Sequence, residues 1–437
     1  MGAATPQTPL AVQFGAGNIG RGFMGELFHA SGYRTVFVDV DRAVVDALQA
    51  RGSYEVHHVT TESDTPVRIS GVSALDARDT DAVARAVAGA SVVCTAVGVR
   101  TLAAVTPALA QGILLRTRQA ETAPLNVITC ENLVGAGRVL RDLVWREIET
   151  LSCTTAPPEP SRGGSPDPPR EGRGDALGNG VCAAGPETRR AKWHGHAPPL
   201  SRTDFEARFG FVEAVVSRMV PLVPAEVRRR DPLWIACEPY ARLPVDAKAF
   251  RGPVPRITGL EPVADILAYQ RRKLASHNMS HAVAAYLGYQ ARHEFLWQAM
   301  ADDGITRAVR ASMDETGRAL VSRFGFEPAD ERAYEEDLLQ RYRNRALGDQ
   351  VRRVAADPLR KLGREDRLIG SARLCLEENV EPAHLLVGIR AALGYNNPDD
   401  PAAVRLQEML ASRGRESVLR DVCGLSPDDP LFARLRE

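Results

Sequence analysis

Three glycines near the N-terminus constrain what this chain can fold into. Gly15, Gly17 and Gly20 stand in Phe14-Gly15-Ala16-Gly17-Asn18-Ile19-Gly20-Arg21-Gly22-Phe23 and satisfy the spacing G-x-G-x-x-G. An apolar run from Ala11-Val12 leads in, and Phe23 to Phe28 reads as a helix. A strand, a glycine turn and a helix form the phosphate cradle of a dinucleotide fold. The first glycine permits the turn, the second lets a pyrophosphate approach the backbone, and the third lets helix and strand pack closely. The free N–H groups at the helix start then hold the phosphates. A second apolar run, Thr35-Val36-Phe37-Val38, ends at Asp39, at the distance from the glycines where such folds place an acid. A carboxylate there accepts ribose hydroxyls and repels a 2′-phosphate, so NAD is expected rather than NADP.

The chain has 437 residues, enough for two to three domains. Its 55 basic and 55 acidic residues balance. Non-specific binding to nucleic acid or an anionic membrane needs a basic excess, so neither partner is expected. No apolar run reaches the ~18 residues that span a bilayer. The first residues lack a basic stretch followed by an apolar core, so no signal peptide is expected. The seven cysteines are scattered and form no C-x-x-C, which fits a reducing cytoplasm. No zinc-binding spacing is present. His57-His58 and His194-Gly195-His196 come nearest, and both read as surface or loop histidines. The basic residues comprise 51 arginines and only four lysines, Lys192, Lys248, Lys273 and Lys361. A base that must lose its proton near neutrality cannot readily be an arginine, so any catalytic lysine is one of four.

Strand and helix signals alternate over residues 35–130, with buried strands at Ala90–Val99 and Leu125–Cys130. That alternation predicts an α/β, doubly wound parallel sheet of the Rossmann type. It is followed by a mainly α-helical C-terminal domain. The expected organisation is a first part of the NAD-binding domain at 1–153 and a Pro/Gly-rich disordered insertion at 154–202. The remainder of the α/β domain and the junction follow at 203–245, and the helical substrate domain at 246–437. The insertion holds almost no periodic apolar residues and cannot repay its ordering entropy.

Three stretches carry polar chemistry. Glu131-Asn132 ends a buried strand, where the crevice of such a sheet lies. Lys273-Leu274-Ala275-Ser276-His277-Asn278-Met279-Ser280-His281 groups a lysine, an amide and imidazoles. At about 100° per residue Asn278 is about 140° from Lys273, so a kink or helix break near Asn278 is needed if Lys273, Asn278 and His281 act together. Arg353, Arg360 and Lys361 flank Asp357-Pro358 and suit anionic or hydroxyl-rich ligands.

These residues together resemble the polyol-specific long-chain dehydrogenases, the mannitol dehydrogenase family. The likeness lies in the glycine stretch, Cys130-Glu131-Asn132, Arg218-Met219-Val220-Pro221, the K-x4-N-x2-H pattern of Lys273, Asn278 and His281, and Pro358-Leu359-Arg360-Lys361-Leu362. Departures are Arg345 after Asn344, Leu243 after the Glu-Pro-aromatic run, and the insertion. The resemblance implies metal-free hydride transfer between NAD and a polyol, here D-mannitol 1-phosphate and D-fructose 6-phosphate. It implies a small sugar phosphate as partner and leaves the oligomeric state open, a monomer included. An unphosphorylated polyol or hexuronate substrate is the nearer alternative, and a non-catalytic NAD sensor the alternative of another class. Phe14, Gly15, Ala16, Gly17, Asn18, Ile19, Gly20 and Asp39 would bind NAD. Lys273 would be general acid/base, its ordinary pKa of about 10.4 lowered by burial or a nearby cation. Asn132 and Asn278 would donate to the oxyanion, His281 would orient substrate or lysine, and Arg353, Arg360 and Lys361 would bind the substrate's hydroxyls or phosphate.

Overall fold

The computed structural model describes residues 8–119, 121–153, 200–221 and 223–436. Among the described residues eleven strands come in chain order: β1 Leu10–Phe14, β2 Arg34–Asp39, β3 Ser53–Val59, β4 Asp64–Ser70, β5 Val72–Asp76, β6 Val92–Thr95, β7 Leu125–Thr129, β8 Phe209–Glu213, β9 Ile235–Cys237, β10 Leu243–Asp246 and β11 Leu260–Val263. The main sheet has the order β5-β2-β1-β6-β7-β8, and every pairing in it is parallel. The chain starts in the middle, runs to one edge and then crosses back. That reversal leaves a crevice beyond the carboxyl ends of β1 and β6, the position where doubly wound sheets bind ligands.

Successive side chains of a strand point to opposite faces, and both faces here are buried. Val12, Phe14, Val93, Val127 and Phe211 pack on one side with Leu109, Ile113, Leu140 and Val144 from the crossover helices. Their neighbours Ala11, Val92, Cys94, Ile128 and Val212 pack on the other with Phe23, Leu27 and Phe28 from the helix after the glycine turn. The apolar runs are continuous in sequence because each residue has a helix to meet.

Several details differ from the sequence expectation. The segment around Val67–Val72 forms two strands, β4 and β5, divided at Gly71, where φ is +70°. The pair His57-His58 lies on strand β3, and because β3 joins β4 and β9 in a second sheet both side chains are partly buried rather than on the surface. There His57 meets Asp64 at 2.9 Å and stacks on Trp234, and His58 meets Glu26 at 2.9 Å. His194 and His196 lie outside the described residues, as does the expected insertion except for its end. At that end Leu200 is buried and Ser201 caps helix Arg202–Arg208, so residues 200–202, expected within the insertion, belong to the folded α/β domain. The first α-helix of the C-terminal part is Ile266–Arg272, and β10 and β11 before it form a parallel pair.

The helical lobe surrounds helix Met279–Gln290, whose residues Met279 and Ala282 to Tyr286 are all buried. A helix apolar on every side belongs at the centre of a bundle. The long helical pattern from Phe295 to Arg323 breaks at Asp302, which caps the N-terminus of helix Asp303–Phe324. No helix among the described residues is long and apolar enough to cross a membrane.

A buried ion pair joins the lobes. Arg341, on helix Pro328–Tyr342, donates Nε to Oε2 of Glu238 at 2.7 Å and Nη2 to Oε1 at 2.5 Å. The same guanidinium reaches the Ser217 carbonyl and lies 4.4 Å from the Tyr240 ring centre. The two side chains are only 8% and 3% exposed. Removing one member of such a pair leaves an uncompensated buried charge. We expect Arg341→Ala to lower unfolding free energy by about 3–5 kcal/mol, read from urea denaturation. A loss below about 1 kcal/mol would place the pair among weakly contributing surface contacts.

Candidate active site

The glycine turn follows β1 directly. Gly15 takes φ +88°, a left-handed conformation that a side chain would strain. A Cβ on Gly20 would sit 1.9 Å from the Gly15 carbonyl oxygen, so the first and third glycines touch. Around Gly17 a Cβ would meet nothing within 4 Å, and this open backbone is where a pyrophosphate fits. The helix start, Gly20–Met24, is a π-turn, with Gly25 N–H bonded to the Gly20 carbonyl. Asp39 at the end of β2 accepts Ala16 N–H at 2.6 Å and Asp41 N–H at 2.9 Å. Each carboxylate oxygen retains a lone pair for a ribose hydroxyl. Of the nearby arginines, Arg228 pairs with Asp41, Arg42 lies 3.5 Å from Asp46 in an exposed pair, and Arg21 donates Nε to the Ala16 carbonyl. These residues fit NAD as the sequence expected.

A cavity of about 880 Å³ opens between the lobes. The sheet side contributes Ile19, Glu131, Asn132 and residues 214–221. The helical side contributes Lys273, His277, Asn278, His281, Asp349, Arg353, Arg360 and residues 363–367. Asn18 ties the glycine turn to this wall by donating to the Pro221 carbonyl at 3.2 Å. The structure therefore brings Asn132, Lys273, Asn278, His281, Arg353 and Arg360 to one cavity, although they come from distant parts of the chain.

Lys361 is outside that lining. Its Nζ donates to the Val354 carbonyl at 2.7 Å and also to that of Ala356. Burial, then Arg367 and Arg360, pull its ammonium down to about 7. In this arrangement Lys361 holds the backbone around Asp357, which takes φ +62°, instead of reaching the cavity.

The break anticipated near Asn278 is a π-turn, Lys273–Asn278, set between helices Ile266–Arg272 and Met279–Gln290. Met279 N–H bonds to the Leu274 carbonyl, five residues back. The wider turn adds a residue per loop and reduces the angular offset between Lys273 and Asn278, and both side chains line the cavity. The carbonyl of His277, within the turn, accepts the Tyr342 hydroxyl at 2.8 Å. Ser276 donates to Glu331 at 2.9 Å, and Arg272 lies 2.6 Å from the other oxygen of Glu331 and 4.3 Å from the Tyr334 ring centre. The turn is held on both sides.

The Lys273 ammonium makes neither a hydrogen bond nor an ion pair among the described residues. Burial, reinforced by the positive charge of Arg367, lowers its pKa to about 8. A lysine with no carboxylate partner, facing a cavity and near neutrality, can exchange a proton with a ligand. His277 behind it is pushed well below the ordinary imidazole range by burial and by Arg341, so it stays neutral. Glu131 is occupied: its oxygens accept the Thr95 hydroxyl at 2.8 Å and Val97 N–H at 3.1 Å, and burial raises its pKa. It locks the ends of β6 and β7 together and leaves Asn132 exposed at the cavity edge.

Gln270, Asp349, Arg364 and Arg367 also line the cavity and were not anticipated. No local motif marks them, because they reach the cavity through the packing of separate helices. Gln270 donates to Glu213 at 2.7 Å and fixes the lysine's helix to β8. The closest potential metal cluster among the described residues is Glu26, His58 and Cys237. Arg218 sits among them, with Nη1 2.5 Å from Glu26 and 3.5 Å from Cys237, so the acid already has a cation.

Comparison with known proteins accords with this layout. Residues 9–156 match the mannitol dehydrogenase Rossmann domain and residues 265–422 the mannitol dehydrogenase C-terminal domain. The chain is 36% identical over 428 residues to a mannitol-1-phosphate 5-dehydrogenase of Brevibacillus brevis, covering 98% of this chain and 97% of that one. It is also 36% identical to the Bacillus licheniformis enzyme of the same name over 427 residues, covering 97% of each chain. In fold it resembles Pseudomonas fluorescens mannitol 2-dehydrogenase in complex with NAD and D-mannitol, with TM-score 0.67 and 17% identity over 99% of this chain and 93% of that one.

Asp39→Ala should raise the Kd for NADH about 10–100-fold, as expected for losing hydrogen bonds to a charged group. Titration of NADH fluorescence measures this, and unchanged affinity would limit Asp39 to bracing the glycine turn.

Proposed function

The chain belongs to the mannitol dehydrogenase family of NAD-dependent oxidoreductases, and on that premise we propose that it interconverts D-mannitol 1-phosphate and D-fructose 6-phosphate with Lys273 as general acid/base. The observation that carries the reading is the lysine itself. It is unpartnered among the described residues, with its pKa lowered to about 8, on the wall of a cavity that meets the dinucleotide turn at Ile19. NAD, when bound, supplies the hydride acceptor. The chain's own task is the proton. As the carbinol carbon loses hydride, its hydroxyl must lose a proton, and neutral Lys273 takes it. In the opposite direction the ammonium of Lys273 returns it to the developing alkoxide. Asn132 and Asn278 donate amide N–H groups to that oxygen, each worth about 3 kcal/mol of barrier.

The phosphate reading rests on charge. Arg353, Arg360, Arg364 and Arg367 line the helical side of the cavity, and guanidinium forks suit phosphate oxygens. Arg353 is held beside His281, which favours sugar hydroxyls as its ligands. Arg360, Arg364 and Arg367 stand along one segment and are the candidates for the phosphate. Both curated relatives described above are named for the phosphorylated substrate. One observation favours a second reading, an unphosphorylated polyol or hexuronate. Glu365 and Asp366 share that wall, and acids accept hydroxyls well. Asp366, however, already binds Arg360 at 3.3 Å and Arg367 at 2.8 Å, which offsets its charge.

NADH oxidation with fructose 6-phosphate, fructose and fructuronate separates the readings: kcat/KM should be highest for fructose 6-phosphate, and better turnover of a free sugar sinks the phosphate assignment. Lys273→Ala should lower kcat about 10²–10⁴-fold, and unchanged turnover would remove the lysine from the mechanism. The pH profile has a definite sign. Oxidation needs the neutral amine, so its kcat/KM rises with pH and levels above about 8, whereas reduction needs the ammonium and falls above about 8.

A further inference from the structure

His281 and Arg353 reach the cavity from different helices, and one carboxylate holds both. His281 lies on helix Met279–Gln290 and Arg353 on helix Val351–Ala355. Asp349 Oδ2 is 3.2 Å from His281 Nε2, and its Oδ1 accepts Arg353 Nη2. The Asp349 side chain is only 9% exposed, and its backbone carbonyl accepts Leu296 N–H at 2.8 Å, so it has little freedom. Burial alone would raise the pKa of this acid. The contacts with His281 and Arg353 outweigh that and lower it.

An ionised carboxylate only accepts hydrogen bonds. The histidine nitrogen that faces it therefore carries the proton, and in the neutral ring Nδ1 keeps its lone pair. Among the described residues nothing bonds to that Nδ1. The ring is also held in orientation. Tyr342 lies parallel to it, with centroids 5.0 Å apart and planes 13° apart. The Tyr342 hydroxyl is fixed in turn by Ser280 at 2.9 Å and by the His277 carbonyl.

We propose that Asp349 is the positioning residue of the substrate site: it fixes His281 in the Nε2–H form, so that Nδ1 accepts a hydrogen from a hydroxyl of the polyol, and its second oxygen aims Arg353 at a neighbouring hydroxyl oxygen. The site thereby presents one acceptor and one donor in fixed relation. A polyhydroxy chain whose adjacent hydroxyls match that order fits, and one with a carbonyl at the His281 position does not, because it has no hydrogen to give. The inference rests on the reading of this cavity as a polyol site.

Two measurements on the full chain test it. The first is ¹⁵N NMR of histidine-labelled protein, above the ordinary imidazole pKa of about 6.5. His281→Gln identifies the His281 signals among those of the nine histidines. The expected spectrum has an unprotonated Nδ1 and a protonated Nε2, and the opposite tautomer would overturn the proposal whatever the substrate proves to be. The second is kinetic. Asp349→Asn, which preserves size, should raise the KM for fructose 6-phosphate about 10–100-fold with the NADH affinity unchanged, and Asp349→Glu should recover part of that loss. In a His281→Gln background the same substitution should add less than it does in the wild type, because only its effect through Arg353 remains and residues acting through one another are not additive. Full multiplication of the two losses, or an equal loss of NADH affinity, would make Asp349 a general structural residue and refute the proposal. If fructose 6-phosphate is not turned over at all, the proposed reaction fails while the tautomer measurement still decides the role of Asp349.

Discussion

The bidentate pair between Glu238 and Arg341 is the contact on which the site depends. It bridges the strap after β9 and the helix Pro328–Tyr342 of the other lobe. Glu238 also accepts Met219 N–H at 2.5 Å, and Arg341 also holds the Ser217 carbonyl. Residues 217–221 form the sheet-side wall of the cavity, and Pro221 is where Asn18 anchors the glycine turn. At the end of the same helix, Tyr342 supports the His277 carbonyl and stacks on His281. One buried pair thus connects the dinucleotide turn to the lysine's helix through few side chains. Two charges so deeply buried need each other, which gives the interface a definite register.

The lysine shows how chemistry is set by surroundings more than by residue type. Lys273 and Lys361 are two of only four lysines, and both have depressed pKa values from burial and from Arg367. Their situations differ. Lys361 spends its protons on two backbone carbonyls and braces a left-handed turn, while Lys273 meets open cavity. The chain carries 51 arginines where a more balanced protein would mix in lysines. Because arginine stays protonated, the many cations of the cavity wall can bind anions and lower the lysine's pKa without competing as bases.

Much of this was legible in the residues. The glycine spacing and Asp39 predicted the turn and an acid at the end of the next strand, since both depend on local backbone geometry. Continuous apolar runs predicted a sheet buried on both faces. The angular offset of Asn278 from Lys273 on a regular helix predicted a break. Other features depended on distant partners. β3 pairs with β9, which lies far along the chain beyond the insertion, so His57-His58 read as surface residues. The helical pattern from Phe295 to Arg323 reads as one stretch although Asp302-Asp303-Gly304 within it is a capping signal, which the structure uses to start a new helix. Asp349 sits in Gly348-Asp349-Gln350, with no motif to mark it, and acquires its role only because His281 and Arg353 converge on it.

By itself the sequence determined the dinucleotide turn, the doubly wound sheet and the residue set Lys273, Asn278 and His281, because backbone sterics and hydrophobic period act over a few neighbours. Tertiary structure decided which residues share a cavity: Asp349, Arg364 and Arg367 came in, and Lys361 was turned onto its own backbone. It also decided the form of the break, a π-turn held by Glu331 and Tyr342 from the facing helix. Those outcomes depend on burial and on hydrogen-bond partners that lie far away along the chain, and only packing brings them within reach.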